Sequence, residues 1–145
     1  MIDLRELTTG PDIAAAFPLM AELRPHLRQG VFLDTIRRQQ RDGYRLFGGS
    51  ARSELVVLAG VRDAHTLVRG PHLFVDDLVT LQSKRGMGYG TAMLRWLAGH
   101  AAGKGLPRIY LDSRDTALGF YRGTGFETLT SVPCWIDVGR LGAGT

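Results

Sequence analysis

Two stretches of the chain carry residue types that could do chemistry. The first is Lys84-Arg85-Gly86-Met87-Gly88-Tyr89-Gly90-Thr91, between an apolar, β-branched run and a stretch of helical periodicity. Glycines between a strand and a helix let backbone N–H groups approach a ligand closely. The first amides of the helix have no partner within it, and its dipole adds about half a positive charge. Together these bind anions, with phosphates the usual occupant. The second is the acid pair Asp76-Asp77 in the run His72 to Leu81. Odd positions Leu73, Val75, Asp77, Val79 and Leu81 share one expected face, and even positions Phe74, Asp76, Leu78 and Thr80 the other. Both faces are mostly apolar, as in a central strand covered on both sides. Acids there must be paired or used. Desolvation would move a carboxyl toward the range of a general base. The other reading is an acid bonded to backbone or arginine, or one at the solvated strand edge.

Known phosphate patterns narrow the ligand. G-x-G-x-x-G fails because Thr91 stands where its third glycine belongs, and Gly99 to Gly105 does not complete the P-loop spacing. Gly48-Gly49-Ser50-Ala51-Arg52 lacks the last glycine of a nucleophile elbow. His26, His65, His72 and His100 have no ligand spacing and Cys134 is alone, so no metal centre and no internal disulfide are expected. What remains is R-x-x-G-x-G, carried by Arg85, Gly88 and Gly90.

The elements needed to hold these residues can be read from periodicity. Ile2 to Leu7 fits a strand, and Thr9-Gly10-Pro11-Asp12 opens a helix that runs through Ile13, Phe17, Met20 and Leu23 to Pro25. Val31 to Arg41 fits a second helix. Tyr44 to Phe47 and Glu54 to Val61 fit strands around Gly48-Gly49-Ser50, and Arg62 to Pro71 reads as a polar connection. After the strand 72–81, Gly86 to Ala102 reads as a helix with Met93, Trp96, Leu97 and Ala101 on one side. Arg108 to Asp112 fits a strand, Arg114 to Arg122 a helix, and Phe126 to Val138 one or two closing strands with Cys134-Trp135 in the core. Leu141 to Thr145 reads as a frayed tail. At 145 residues, with 44% hydrophobic and 22% charged residues, the chain is expected to be one α+β domain over 1–145. No run of ~18 apolar residues suggests a membrane span, and the first residues lack a signal-peptide pattern. With a single cysteine, a cytoplasmic setting is expected. The net charge of +4 comes from sixteen arginines against two lysines, without a basic run or interleaved aromatics, so nucleic acid is not an expected partner.

With these motifs assembled, the sequence resembles the GNAT superfamily of acyl-CoA N-acyltransferases. Arg85 to Gly90 matches its Q/R-x-x-G-x-G/A motif after the central strand. Ala117, Phe120-Tyr121 and Gly125-Phe126 match its second signature, and Asp76 to Thr80 its central strand. The match is specific over 72–126, with Arg114 standing where many members carry Asn. The resemblance implies a GNAT-like fold, a central mixed sheet flanked by helices. It also implies acetyl transfer from acetyl-CoA to a primary amine by direct attack in a ternary complex, and a possible homodimer.

That chemistry has three requirements. An alkylamine with a pKa near 10.4 is only ~0.04% neutral at pH 7, a penalty of roughly 4–5 kcal/mol, so its proton must go to a base or to water. The leaving thiolate needs a proton, and the carbonyl oxygen a donor as it gains charge. By resemblance, Asp76 or Asp77 is the expected base and Tyr121, protonated at pH 7, the expected acid near the sulfur. Backbone groups of Leu78, Val79 and Thr80 are expected at the pantetheine arm and thioester. Amides from Arg85, Gly86, Met87, Gly88, Tyr89, Gly90 and Thr91 are expected at the pyrophosphate. The acceptor falls to the loop Leu23 to Val31 and the segment Thr130 to Asp137, which carry no pattern that names it. A non-catalytic acyl-CoA sensor would keep the cofactor motifs yet turn over no amine, and a nucleotide-binding transferase would prefer ATP or NAD to CoA.

Overall fold

The computed structural model describes residues 1–142. They fall into two compact units, Met1–Asp112 and a second beginning at Ser113.

The first unit holds a five-stranded sheet in the order β1 (Asp3–Glu6), β2 (Tyr44–Ala51), β3 (Glu54–Thr66), β4 (Gly70–Thr80) and β5 (Ile109–Leu111). The first three pairings are antiparallel; β4 and β5 run parallel and pair only from Leu73↔Ile109 to Val75↔Leu111. The sheet is thus mixed, as expected. The expected polar connection after Val61 is instead the end of a longer hairpin, closed by Leu67–Arg69 with the Arg69 N–H donating to Thr66 Oγ1 at 3.2 Å. Gly48 and Gly49 lie inside β2. The turn there is Arg52-Ser53, both at positive φ (51° and 65°), the hand that suits a two-residue hairpin.

Three helices precede β2: α1 (Gly10–Ala15), α2 (Phe17–Leu23) and α3 (Gln29–Arg41). Thr9 caps α1 by accepting the Asp12 N–H, as Thr9-Gly10-Pro11-Asp12 predicts. The expected single helix over 13–23 divides at Ala16, because Pro18 has no N–H to continue the ladder and sits in the first turn of α2. These helices cover one face of the sheet, where Leu7, Ile13, Ala16, Leu19, Met20, Phe32 and Ile36 pack with Tyr44, Leu46, Leu58 and Val79. The other face is covered by α4 (Tyr89–Gly103), which buries Met93, Leu94, Leu97 and Ala101. Trp96 packs edge-on to Phe47 with ring centroids 4.8 Å apart.

In the second unit a 3₁₀ turn, Asp115–Ala117, leads into α5 (Leu118–Gly123) and later α6 (Val138–Gly142). The strands expected over Phe126 to Val138 do not form: 126–137 has no strand, Cys134 is exposed and Trp135 is 83% exposed. Alternating apolar residues specify a strand only when a neighbour takes up their backbone groups. Of the expected tail, Leu141 and Gly142 end α6, and 143–145 lie outside the described residues.

Candidate active site

The decisive local feature is a β-bulge at Asp76. Opposite β3, Gly60 pairs with Asp77 but Val61 pairs with Val75, so Asp76 is an extra residue in β4. An extra residue reverses the alternation of the strand beyond it. The hydrogen bonds record this reversal. Before the bulge, the Leu73 N–H donates toward β5, to the Arg108 carbonyl at 2.9 Å; after it, the Leu81 N–H donates toward β3, to the Val56 carbonyl at 2.8 Å. Both residues are odd-numbered. The even positions 76, 78 and 80 therefore present their backbone groups on the edge away from β3, and β5 pairing has ended at Val75. On this edge the Asp76 carbonyl accepts from Arg24 Nη2 (2.9 Å) and the Thr80 carbonyl from Arg85 Nε (3.3 Å). Between them, the N–H and C=O of Leu78 lie on the same edge and, among the described residues, meet no partner strand.

The bulge also corrects the face assignment of the two acids. Asp76 and Asp77 lie on one face rather than opposite faces, because Tyr44 and Arg62, their partners, stand opposite each other on β2 and β3. Arg62 Nε and Nη2 donate to the two oxygens of Asp76 at 2.6 and 2.9 Å. This hydrogen bond is the main reason the Arg62 pKa is raised. Asp77 Oδ1 accepts from Arg24 Nε at 3.1 Å, and Oδ2 accepts from the Tyr44 hydroxyl at 2.8 Å. Burial first, and then the Asp77 charge, push the Tyr44 phenol well above its usual 10, so it stays protonated as the donor. Tyr44 reaches Asp77 across Gly60, where any Cβ would overlap the phenol. Both acids are thus bonded to arginine.

Beyond β4, a 3₁₀ turn (Gln82–Lys84) leads into the glycine loop. Gly86 (φ 83°) and Gly88 (φ 85°, the N-cap of α4) are left-handed, and a Cβ on either would meet nothing within 4 Å. Among the described residues, the N–H groups of Gly86 through Thr91 donate to no protein acceptor. Lys84 lies 3.8 Å from Glu54. Open space, unpaired amides at a helix start and Arg85 nearby are what a phosphate-bearing ligand requires, so the loop fits the CoA pyrophosphate.

In the second unit, Tyr121 on α5 stacks edge-on between Phe120 and Phe126, at 5.1 and 5.5 Å. Its carbonyl closes the helix end by accepting from Phe126 N–H, and burial raises its phenol pKa. Sequence reasoning missed Tyr44, Gly60 and Arg62, and reached Arg24 only as part of the acceptor-side loop Leu23 to Val31. No local pattern marks them, since each meets β4 from a distant part of the chain. His72, which has no ligand spacing in the sequence, is buried with Nδ1 2.9 Å from the Gly70 carbonyl. Among the described residues, no cluster of three or more His, Cys, Asp or Glu could hold a metal.

The acetyltransferase (GNAT) family model matches residues 12–126. The chain belongs to the GNAT acetyltransferase family. It is 31% identical to the uncharacterized N-acetyltransferase YhdJ of Bacillus subtilis over 114 residues, 78% of this chain and 80% of that protein. A Trypanosoma brucei acetyltransferase structure is 25% identical with a TM-score of 0.73, covering 94% of this chain and 99% of that one. The aminoglycoside N-acetyltransferase AAC(6')-Iy, solved with CoA, shares the fold at 19% identity and TM-score 0.81, covering 94% and 95% of the two chains. This GNAT protein is accordingly an acetyltransferase, and acetyl-CoA is the cosubstrate of its family. Among the described residues no helix is long and apolar enough to cross a membrane.

Proposed function

We propose that the protein transfers the acetyl group of acetyl-CoA to a primary amine of a small molecule or peptide, by direct attack in a ternary complex. The observation that carries this reading is the open edge of β4 beyond the Asp76 bulge, followed after one 3₁₀ turn by a glycine loop whose amides have no acceptor among the described residues. Acetyl-CoA supplies a thioester whose carbonyl carbon accepts the amine nitrogen as the C–S bond breaks. The amides of residues 85–91 hold the pyrophosphate, with Arg85 adding charge. The N–H of Leu78, without an acceptor among the described residues, is the donor for the thioester oxygen, and neighbouring Val79 and Thr80 complete the pantetheine edge.

Tyr121 is the proposed proton donor to the leaving sulfur; its place in the Phe-Tyr signature and its burial-raised pKa support that role. For the amine's surplus proton, Asp76 is the better of the two acids. Its side chain is 27% exposed beside an Arg62 that is 44% exposed, so the pair can open to solvent. Asp77 is closed in by Arg24 and Tyr44. The family match spans both compact units, which supports reading the chain as a single domain. The same proposal includes a cytoplasmic setting, in keeping with one unpaired cysteine, and a homodimer, to be checked by light scattering.

Calorimetric titration with acetyl-CoA, CoA, ATP and NAD tests the donor. Selective binding of acetyl-CoA and CoA, followed by turnover on a panel of amines, is the expected result. Absence of binding by either would overturn the proposal.

A further inference from the structure

We propose that Arg24, Tyr44 and Asp77 form a positioning set that locks the bulge of β4 and so holds the thioester edge open. The proposal rests on the acetyl-CoA reading of that edge. Three observations carry it. One guanidinium grips both sides of the bulge, binding the Asp76 carbonyl through Nη2 and the Asp77 carboxylate through Nε. Tyr44, 3% exposed, spends its hydroxyl on the other Asp77 oxygen. Gly60, the register partner of Asp77, leaves the space that the phenol fills.

A phenol hydroxyl and a carboxylate in the apolar layer under α2 are costly unless each partners the other, and an aliphatic set would pack there without that cost. What the polar set adds is direction. It fixes which carbonyl leaves the β3 ladder where the alternation reverses, and occupation of the Asp76 carbonyl leaves Leu78 as the free group on the edge. Arg24 lies at the end of α2, so the helix covering that face is tied to the donor edge. Asp77 then acts through the backbone it holds and does not take up the amine's proton.

The test needs no acceptor. Tyr44→Phe, Asp77→Asn and Arg24→Gln are titrated with acetyl-CoA and with adenosine 3′,5′-bisphosphate, a probe that lacks the pantetheine arm. Losing a hydrogen bond to a charged group should weaken acetyl-CoA binding roughly tenfold or more. Binding of the nucleotide probe, which meets only the glycine loop, should stay within about twofold, and Arg24→Lys should recover part of the loss. Hydrogen exchange at the Leu81 amide, which donates to the Val56 carbonyl beyond the bulge, should accelerate in the same variants. Melting curves identify any variant that fails to fold; Arg24, the partly exposed member, then carries the test alone. Acetyl-CoA affinity unchanged in Asp77→Asn and Arg24→Gln would overturn the proposal, as would equal weakening for both ligands. If the unaltered protein binds neither ligand, the acetyl-CoA reading itself has failed, a result distinct from failure of the positioning set.

Discussion

Replacing Gly88 by alanine separates what the backbone demands of this residue from what the ligand demands. Gly88 sits at φ 85° and ψ 7°, where an L side chain costs about 1–2 kcal/mol. A Cβ there meets no atom within 4 Å beyond its own neighbouring backbone, so that cost is local to the turn. If the loop keeps its shape, the whole penalty falls on folding, and Tm drops by roughly 3–8 °C for a chain of this size. If the free loop relaxes to escape the strain, binding must restore the left-handed turn, and the acetyl-CoA Kd rises by about 5–30-fold. The α4 amides are usable only from the native turn, so we expect the second outcome to be visible in calorimetry with acetyl-CoA. Gly88→Glu adds bulk and a negative charge at the same place and should abolish binding. Gly99→Ala, on α4 with open space and no positive φ, serves as the control. A lower Tm in Gly88→Ala with unchanged Kd, together with normal binding by Gly88→Glu, would refute the loop as the phosphate site.

Two further predictions concern protons. Tyr121→Phe should lower kcat by about 10²-fold or more while leaving the acetyl-CoA Kd near normal. Because burial raises the phenol above its usual 10, loss of its proton should not limit the rate at neutral pH, which a pH–rate profile checks. The second concerns acid stability. Glu6, bound by Arg45 at 2.8 and 3.1 Å, has its pKa lowered from 4.5, chiefly by that hydrogen bond. Its contribution is therefore present above pH 4.5 and lost as pH falls through the depressed folded value. His100, lowered from 6.5 chiefly by burial, likewise favours the folded state above its unfolded pKa and less so below it. Tm should decline on acidification in two steps, the upper one missing in His100→Gln and the lower one smaller in Glu6→Gln, where Asp12, also lowered by its arginine partner, still contributes; identical melting profiles in all three proteins would refute the assignment.

The glycine loop is legible in the sequence because its function is local: consecutive residues supply the turn, the amides and the helix start. Helix starts at Thr9 and strands rich in Val and Leu are legible for the same reason. The bulge is not, because an extra residue in β4 is defined only against Gly60 and Val61 on β3. Alternation within β4 alone therefore assigns Asp76 and Asp77 to opposite faces. Their partners are hidden too, since Arg24 and Tyr44 lie more than thirty residues from Asp77 in the chain. The segment 126–137 errs in the other direction: its residues suit a strand, but pairing depends on a neighbour that composition does not encode.

Strand order in the sheet repeats order in the chain, and this bears on how the protein is made. The hairpins β2–β3 and β3–β4 close through the short turns Arg52-Ser53 and Leu67–Arg69, with little loop entropy to lose. β5 must wait for α4 to cross over, and then pairs at only three positions. During synthesis, the meander carrying Tyr44, Gly60 and Asp77 can be complete before Ile109 has emerged. The bulge that shapes the donor edge thus belongs to the early-forming part of the sheet, while β5, which marks where that edge begins, arrives last. Changes in the hairpin turns would alter how quickly the protein matures, whereas changes in α4 or β5 would alter where the completed groove begins.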